Sequence, residues 1–135
     1  MIKRFEIRTH QQQQLIDITP QVQQWLAQTG IRQGTLLVFV PHTTAAVTIN
    51  ENADPDVVTD MLNDFDRLIP DSPTFRHSEG NSAAHIKSSL IGVSQNMIID
   101  QDALLLGTWQ SHYFCEFDGP RSRAFYASIT PGQTP

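Results

Sequence analysis

The chain is poor in the residues that would place it in several large protein classes. It has one cysteine in 135 residues, Cys115. A lone cysteine excludes an internal disulfide framework and makes a reducing, cytoplasmic setting the expectation. No apolar run approaches the roughly 20 residues of a membrane span, so no membrane partner is expected. The first ten residues, MIKRFEIRTH, lack the apolar run of a leader peptide. Cations are in deficit: 9 Lys and Arg face 14 Asp and Glu, for a net charge of -5. That balance argues against a nucleic-acid partner, which needs a basic surface. An anionic ligand then has to be held by local basic groups. Neither an internal repeat nor a linker is visible. The one biased stretch, Gln11 to Gln14, is short enough to be a turn.

What is present suits one compact domain with one core. Phe5 and Ile7 alternate with Arg4, Glu6 and Arg8, which reads as a strand. Leu15, Ile16 and Ile18 read as a second strand, and the two are expected to pair as a hairpin. A first helix is expected to open with Thr19 as cap and Pro20 at its first position, and to stop at Gly30. Its apolar stripe is Val22, Trp25 and Leu26. Thr35 to Val40 and Ala45 to Ile49 are strand-like on either side of Pro41.

A second helix is expected after Asp54 and Pro55, with Val57, Val58, Met61, Leu62, Phe65, Leu68 and Ile69 at helical period. Pro70 ends it. A polar loop follows to Gly80. A third helix runs from Asn81 or Ser82 to Gly92, with Ile86 and Leu90 opposite His85. Met97 to Ile99, one long strand from Leu104 to Phe117, and Ala124 to Ile129 complete the pattern, with a turn at Gly119-Pro120. The expected fold class is α+β: mainly antiparallel strands packed with about three helices.

Four histidines stand at positions that invite chemistry: His42 after the Pro41 break, His77 in the polar loop, His85 on the third helix and His112 on the long strand. Imidazole is both a metal ligand and a neutral-pH acid or base. No HxxxH or HExxH spacing selects the metal, and hydrogen-bonded structural roles stay open. On the long strand, Gln110, His112, Phe114, Glu116 and Asp118 share one parity. They either line a pocket or form a solvent face. Cys115 falls on the other, core-like parity.

Arg121 and Arg123 are two apart and offer planar donor forks suited to phosphate, or they pair with Glu116 and Asp118. Lys87 is a further cation. The first N–H groups of the third helix, beside Gly80, are a possible phosphate cradle. Glu51 is either a general base, a partner to a histidine, or a helix-start residue.

Five blocks resemble one family together. They are Phe39-Val-Pro-His-Thr-Thr-Ala-Ala-Val-Thr-Ile-Asn-Glu-Asn52, His77-Ser-Glu-Gly-Asn81, His85-Ile-Lys-Ser-Ser89, Leu106-Gly-Thr-Trp-Gln110 and Glu116-Phe-Asp-Gly-Pro-Arg-Ser-Arg123. In this order they resemble the YjbQ-type family of secondary thiamine-phosphate synthases. The resemblance implies a compact α+β domain and a homotrimer. The implied reaction joins hydroxymethylpyrimidine diphosphate to thiazole phosphate and releases pyrophosphate.

As catalytic residues it implies His42, His85 and Glu51. As substrate-binding residues it implies Asn50, Lys87, Gln110, Glu116, Arg121 and Arg123. His42, His77 and His85 are the implied ligands of a divalent metal, zinc or magnesium. His112 and Cys115 stand outside this set. The alternative is a metal- or metabolite-binding oligomer without turnover.

Overall fold

The computed structural model describes residues 1–133. The elements in chain order are β1 (Ile2–Arg8), β2 (Gln14–Asp17), α1 (Thr19–Thr29), β3 (Gly34–Phe39), β4 (Ala45–Glu51), α2 (Pro55–Leu68), α3 (Ser82–Ile91), β5 (Ser94–Asp100), β6 (Ala103–Leu104), β7 (Gln110–Glu116) and β8 (Ser122–Pro131). They form two antiparallel sheets. One has the order β1-β8-β3-β5-β6 and the other β2-β7-β4. The expected α+β class with three helices is what the chain adopts.

The sheets face each other across one apolar layer. Phe5, Leu36, Val38 and Phe125 of the larger sheet meet Phe114 and Val47 of the smaller, and Val22, Trp25 and Leu26 of α1 close the side. Phe5 stacks on Phe125 at 4.8 Å and meets Trp25 edge-on at 5.9 Å. On its far side the smaller sheet packs on α3 through Ala46, Cys115 and Ala84. Among the described residues no helix covers the outer face of the larger sheet, and Ile2, Phe39, Ile98 and Tyr126 are exposed there.

Several expectations are corrected. The N-terminal strands do not form a hairpin: β1 pairs with β8 and β2 with β7. Alternation marks a strand but not its partner. Thr19 is not a cap. The Asp17 carboxylate accepts its N–H at 2.9 Å, and the Thr19 hydroxyl accepts the His112 N–H at 2.7 Å. The long strand is broken into β6 and β7 at a turn where the Gln110 side-chain oxygen accepts the Gly107 N–H at 2.8 Å.

Apart from the start of α1, helix ends are where the sequence placed them. Gly30 is left-handed at φ 71. Asp54 caps α2 by accepting the Asp56 N–H at 2.9 Å. The stripes are less regular. α3 buries Ala83, Ala84, Lys87 and Ser88, while Ile86 and Leu90 are exposed. Small residues let it sit close on β4, with the Ser88 hydroxyl donating to the Ala45 carbonyl at 2.6 Å. α2 has no buried residue despite its apolar stripe. Phe65 edge-on to Phe117, and Asp66 on Lys87, tie it to the body.

Candidate functional site: an open histidine–arginine cleft

At one end of the sandwich, where β4 begins and β7 ends, the chain leaves both sheets and opens a cleft of about 440 Å³. Its walls are the Pro41–Thr44 turn, the His77–Asn81 loop, His85 of α3, and Asp118, Arg121 and Arg123. His42, His77, His85, Arg121 and Arg123, far apart in sequence, are thus brought together.

His42 sits just beyond the end of β3. Its Nε2 lies 3.0 Å from the Ala124 amide nitrogen and 3.1 Å from the Ala124 oxygen. The imidazole takes the place of the next β3 residue beside β8. An amide N–H can only donate and a carbonyl can only accept, so Nε2 accepts from the one or donates to the other according to the tautomer of the ring. Burial, and next the positive charge of Arg123, hold the His42 pKa below its ordinary value. The shift favours the neutral imidazole, and Nδ1 is the ring nitrogen left without a partner. His77 and His85 meet edge to face at 5.4 Å between ring centroids. Glu79 lies 4.0 Å from His77 Nε2.

Arg121 is half exposed. Its Nη2 donates to the Asp118 carboxylate at 2.9 Å and its Nε to the Asp118 carbonyl at 2.7 Å. Asp118 also accepts from the Asn81 amide at 2.8 Å. Arg121 is held in place at the rim with donors to spare.

Arg123 and Glu116 are structural first. Glu116 is wholly buried. It accepts from Arg123 Nε at 2.9 Å and from Nη2, and Arg123 also reaches the Thr44 hydroxyl at 2.8 Å. This ion pair joins the two sheets at the mouth of the cleft. Glu116 is accordingly not on a substrate-facing wall, and the pairing weighed for it in the sequence is the one formed.

Other expected site residues are elsewhere. Lys87 points away from His85, since two helical positions separate them by about 200°. Its ammonium donates to Asp66 at 2.7 Å and Gln13 at 2.9 Å. That contact borders a separate cavity of about 150 Å³ with Asp66, Asp71, Glu79 and Asp118 on its walls. Ala83, in the first turn of α3, lines the same acidic cavity, which is a poor place for phosphate. Gly80 serves its left-handed φ of 73, because a Cβ there meets nothing within 4 Å.

Asn50, Glu51 and Gln110 stand at the opposite end of the smaller sheet, where Glu51 pairs with Gln110 and Ala45 with Glu116. Six strand residues separate the two ends, about 20 Å. The Asn50 side chain accepts the Glu51 N–H at 2.7 Å, and the Glu51 carbonyl accepts the Tyr113 hydroxyl at 3.1 Å. Within one chain, Glu51 is no base for this cleft.

His112 lies in the core, with neither ring nitrogen hydrogen-bonded. Its parity faces the main apolar layer, because β7 is the middle strand and is buried on both sides. Thr44, Glu79 and Asn81 were not singled out by the sequence as site residues; Asp118, weighed there as a pocket residue or an arginine partner, is both. The polar loop ending in Asn81 was the signal available for two of them.

Among the described residues, no three His, Cys, Asp or Glu side chains are grouped to hold a metal ion. With Nε2 of His42 engaged by Ala124, His77 and His85 are the two of the three cleft histidines whose rings are uncommitted. The donor set as placed does not close around a zinc or magnesium ion. No helix among the described residues is long and apolar enough to cross a membrane.

A two-sheet α+β domain with an open cleft of histidines and arginine at one end is the class these observations define. The chain belongs to the YjbQ family, matching the UPF0047 protein YjbQ-like description over residues 3–132. It is 54% identical to the UPF0047 protein YugU of Bacillus subtilis, over 96% of this chain and 98% of that one. It is 50% identical to a UPF0047 protein of Methanocaldococcus jannaschii, over 96% and 94%. Among solved structures, an uncharacterized YjbQ/UPF0047 protein of Clostridium acetobutylicum superposes with a TM-score of 0.92 at 48% identity, over 95% and 99%. A hypothetical protein of Aeropyrum pernix gives 0.92 at 34% identity, over 98% and 99%.

Proposed function

We propose that the cleft binds a phosphorylated small molecule and transfers a group from it. The observation that carries this reading is the meeting of three imidazoles and the rim guanidinium of Arg121 in one open cleft. A phosphate in that space meets the spare donors of Arg121 and the imidazoles of His77 and His85. The thiamine-phosphate synthase reaction belongs to this class. It breaks the C–O bond to the pyrophosphate and forms a C–N bond to the thiazole nitrogen. No base is required; the demand is for donors around the departing pyrophosphate. His42, His85 and Arg121 suit that demand better than Glu51 does.

A homotrimer is part of the proposal. The exposed apolar Phe39 and Ile98 on the β3–β5 side of the larger sheet's outer face, away from the β1 edge, support it. Asn50, Glu51 and Gln110 then reach a cleft only as residues of a neighbouring subunit. A cytoplasmic setting is supported by the lone buried thiol.

The test is calorimetric titration with inorganic pyrophosphate, together with product analysis on the two thiamine precursors. The expected result is pyrophosphate binding weakened about tenfold or more by Arg121→Ala, and product lost in His85→Ala. Binding without product identifies a metabolite-binding protein instead. Absence of binding sinks the cleft reading. In a parallel zinc titration, His77 and His85 resonances should shift before those of His42. His42 leading would show that its ring leaves Ala124 to join a metal.

A further inference from the structure

A second cleft backs onto the first. It holds about 470 Å³ and is lined by Arg4, Glu6, Arg8, His42, Ser122, Arg123 and Ala124. His42 and Arg123 border both clefts. The two are neighbouring compartments with one shared wall.

The second compartment follows from strand register. Arg4, Glu6 and Arg8 alternate with Phe5 and Ile7 on β1, so they share the outer face of the larger sheet. Across the ladder, Arg8 stands opposite Ser122 and Glu6 opposite Ala124. Those partners are short, which leaves a trough between the long β1 side chains and the His42 turn. Beyond the end of β3 the His42 ring takes the edge of β8, seated on the Ala124 peptide groups.

The trough is cationic. Arg4 is paired with Glu6 at 3.0 Å, but Arg8 has no ion-pair partner among the described residues. Arg123 borders the shared wall, but its guanidinium is turned inward onto Glu116 and Thr44, so the unpaired charge of the trough is that of Arg8. The field reaches the first cleft too, since Arg4 is among the charges that oppose protonation of His42.

We propose that this trough is a second anion subsite, for a phosphate group, so that the two compartments together take two phosphate groups on either side of His42 and Arg123. Arg8 is the principal binding residue and Arg4 the second. The ligand is a small molecule carrying two separated phosphates, or two phosphorylated molecules held side by side. The inference rests on the reading of the His77–His85 cleft as a phosphate-binding site and extends it.

The experiment is a backbone-amide NMR titration with inorganic phosphate on wild type, Arg8→Gln, Arg4→Gln/Arg8→Gln and Arg121→Gln. The expected result is two independent responses. One covers the amides of Glu6, Arg8 and Ser122; the other covers Thr43, Thr44 and Asn81. The double β1 variant should weaken the first response about tenfold or more and leave the second. Arg121→Gln should do the reverse. These arginines lie at the surface, so the variants should keep the native spectrum. A response confined to Thr43, Thr44 and Asn81 overturns the second subsite and leaves the proposed function standing. Survival of the Glu6–Ser122 response in the double variant also overturns it. A response confined to Glu6, Arg8 and Ser122 supports the trough and sinks the reading of the first cleft.

If both compartments respond, 1,5-pentanediol bisphosphate and monophosphate distinguish the two ligand sources. Mutual weakening by Arg8→Gln and Arg121→Gln on the bisphosphate alone means one bridging ligand. Independent effects mean two separate molecules. Either result supports the subsite.

Discussion

Replacing Arg123 with methionine tests the contact on which the shape of the cleft depends. Glu116 is wholly buried and accepts four hydrogen bonds: from Arg123 Nε at 2.9 Å, from Arg123 Nη2, from the Thr9 hydroxyl at 2.7 Å and from the Asp118 N–H at 3.1 Å. Arg123→Met removes two of the four and the only opposite charge paired with it among the described residues. Methionine keeps much of the apolar stem, so the loss is mainly electrostatic. A bond to a charged group is worth about 1.5–3 kcal/mol, and breaking a buried pair from one side costs about 3–5 kcal/mol. The two figures agree at about 4 kcal/mol.

With a urea slope of about 2 kcal/mol per M, the unfolding midpoint should fall by about 2 M. That is a large share of a native stability of about 5–15 kcal/mol. The assay is urea denaturation followed by tryptophan fluorescence, at one protein concentration so that any assembly contributes equally. The double variant Arg123→Met/Glu116→Gln removes the stranded charge and should recover about half of the loss. A loss under about 1 kcal/mol for Arg123→Met would refute the account. So would strictly additive effects in the double variant.

Burial pushes the His112 pKa down to about 4, against a weak opposing pull from Asp17. Between about pH 6.5 and 4 the unfolded chain binds a proton that the native state does not, so this group costs stability as pH falls, about 3 kcal/mol in all. His112→Leu should therefore gain about 2 kcal/mol relative to wild type between pH 7.5 and pH 5 in paired urea titrations; a constant difference would exclude it. Burial also raises the Cys115 pKa well above the ordinary thiol value. The native protein should resist a thiol reagent at pH 8 that reacts fully after denaturation, and fast native labelling would contradict this. The Lys87–Asp66 pair is lopsided, with side-chain exposures of 6% and 64%. Asp66→Asn, which strands the buried ammonium, should destabilise more than Lys87→Met, which only frees an exposed carboxylate to water; the reverse order by thermal unfolding would refute that reasoning.

The sequence alone determined the features that depend on near neighbours. Asp54 with Pro55, and Gly30, set helix ends because a cap or a left-handed turn is a matter of a few adjacent residues. The lone thiol on a core parity was legible for the same reason. His42, His77, His85 and Arg121 were legible as residues able to do chemistry, and they do meet in one cleft.

What only tertiary structure decided is pairing at a distance. β1 alternates like any half-buried strand, and nothing in its seven residues names β8 as its partner. Parity on β7 separated two faces, but it could not say that both would be covered, so a pocket wall and a solvent face were the alternatives for Glu116 and His112, and both are buried. Glu51 follows His42 by nine positions, yet an extended strand carries it to the far end of the sheet. Arg123 and Arg121 look alike in sequence and differ only in what each meets: a buried carboxylate between two sheets for one, the solvent-facing rim for the other. Local preference is encoded over a few residues. The partner of a strand or a charge is chosen by the global packing that buries the most apolar surface without stranding a polar group.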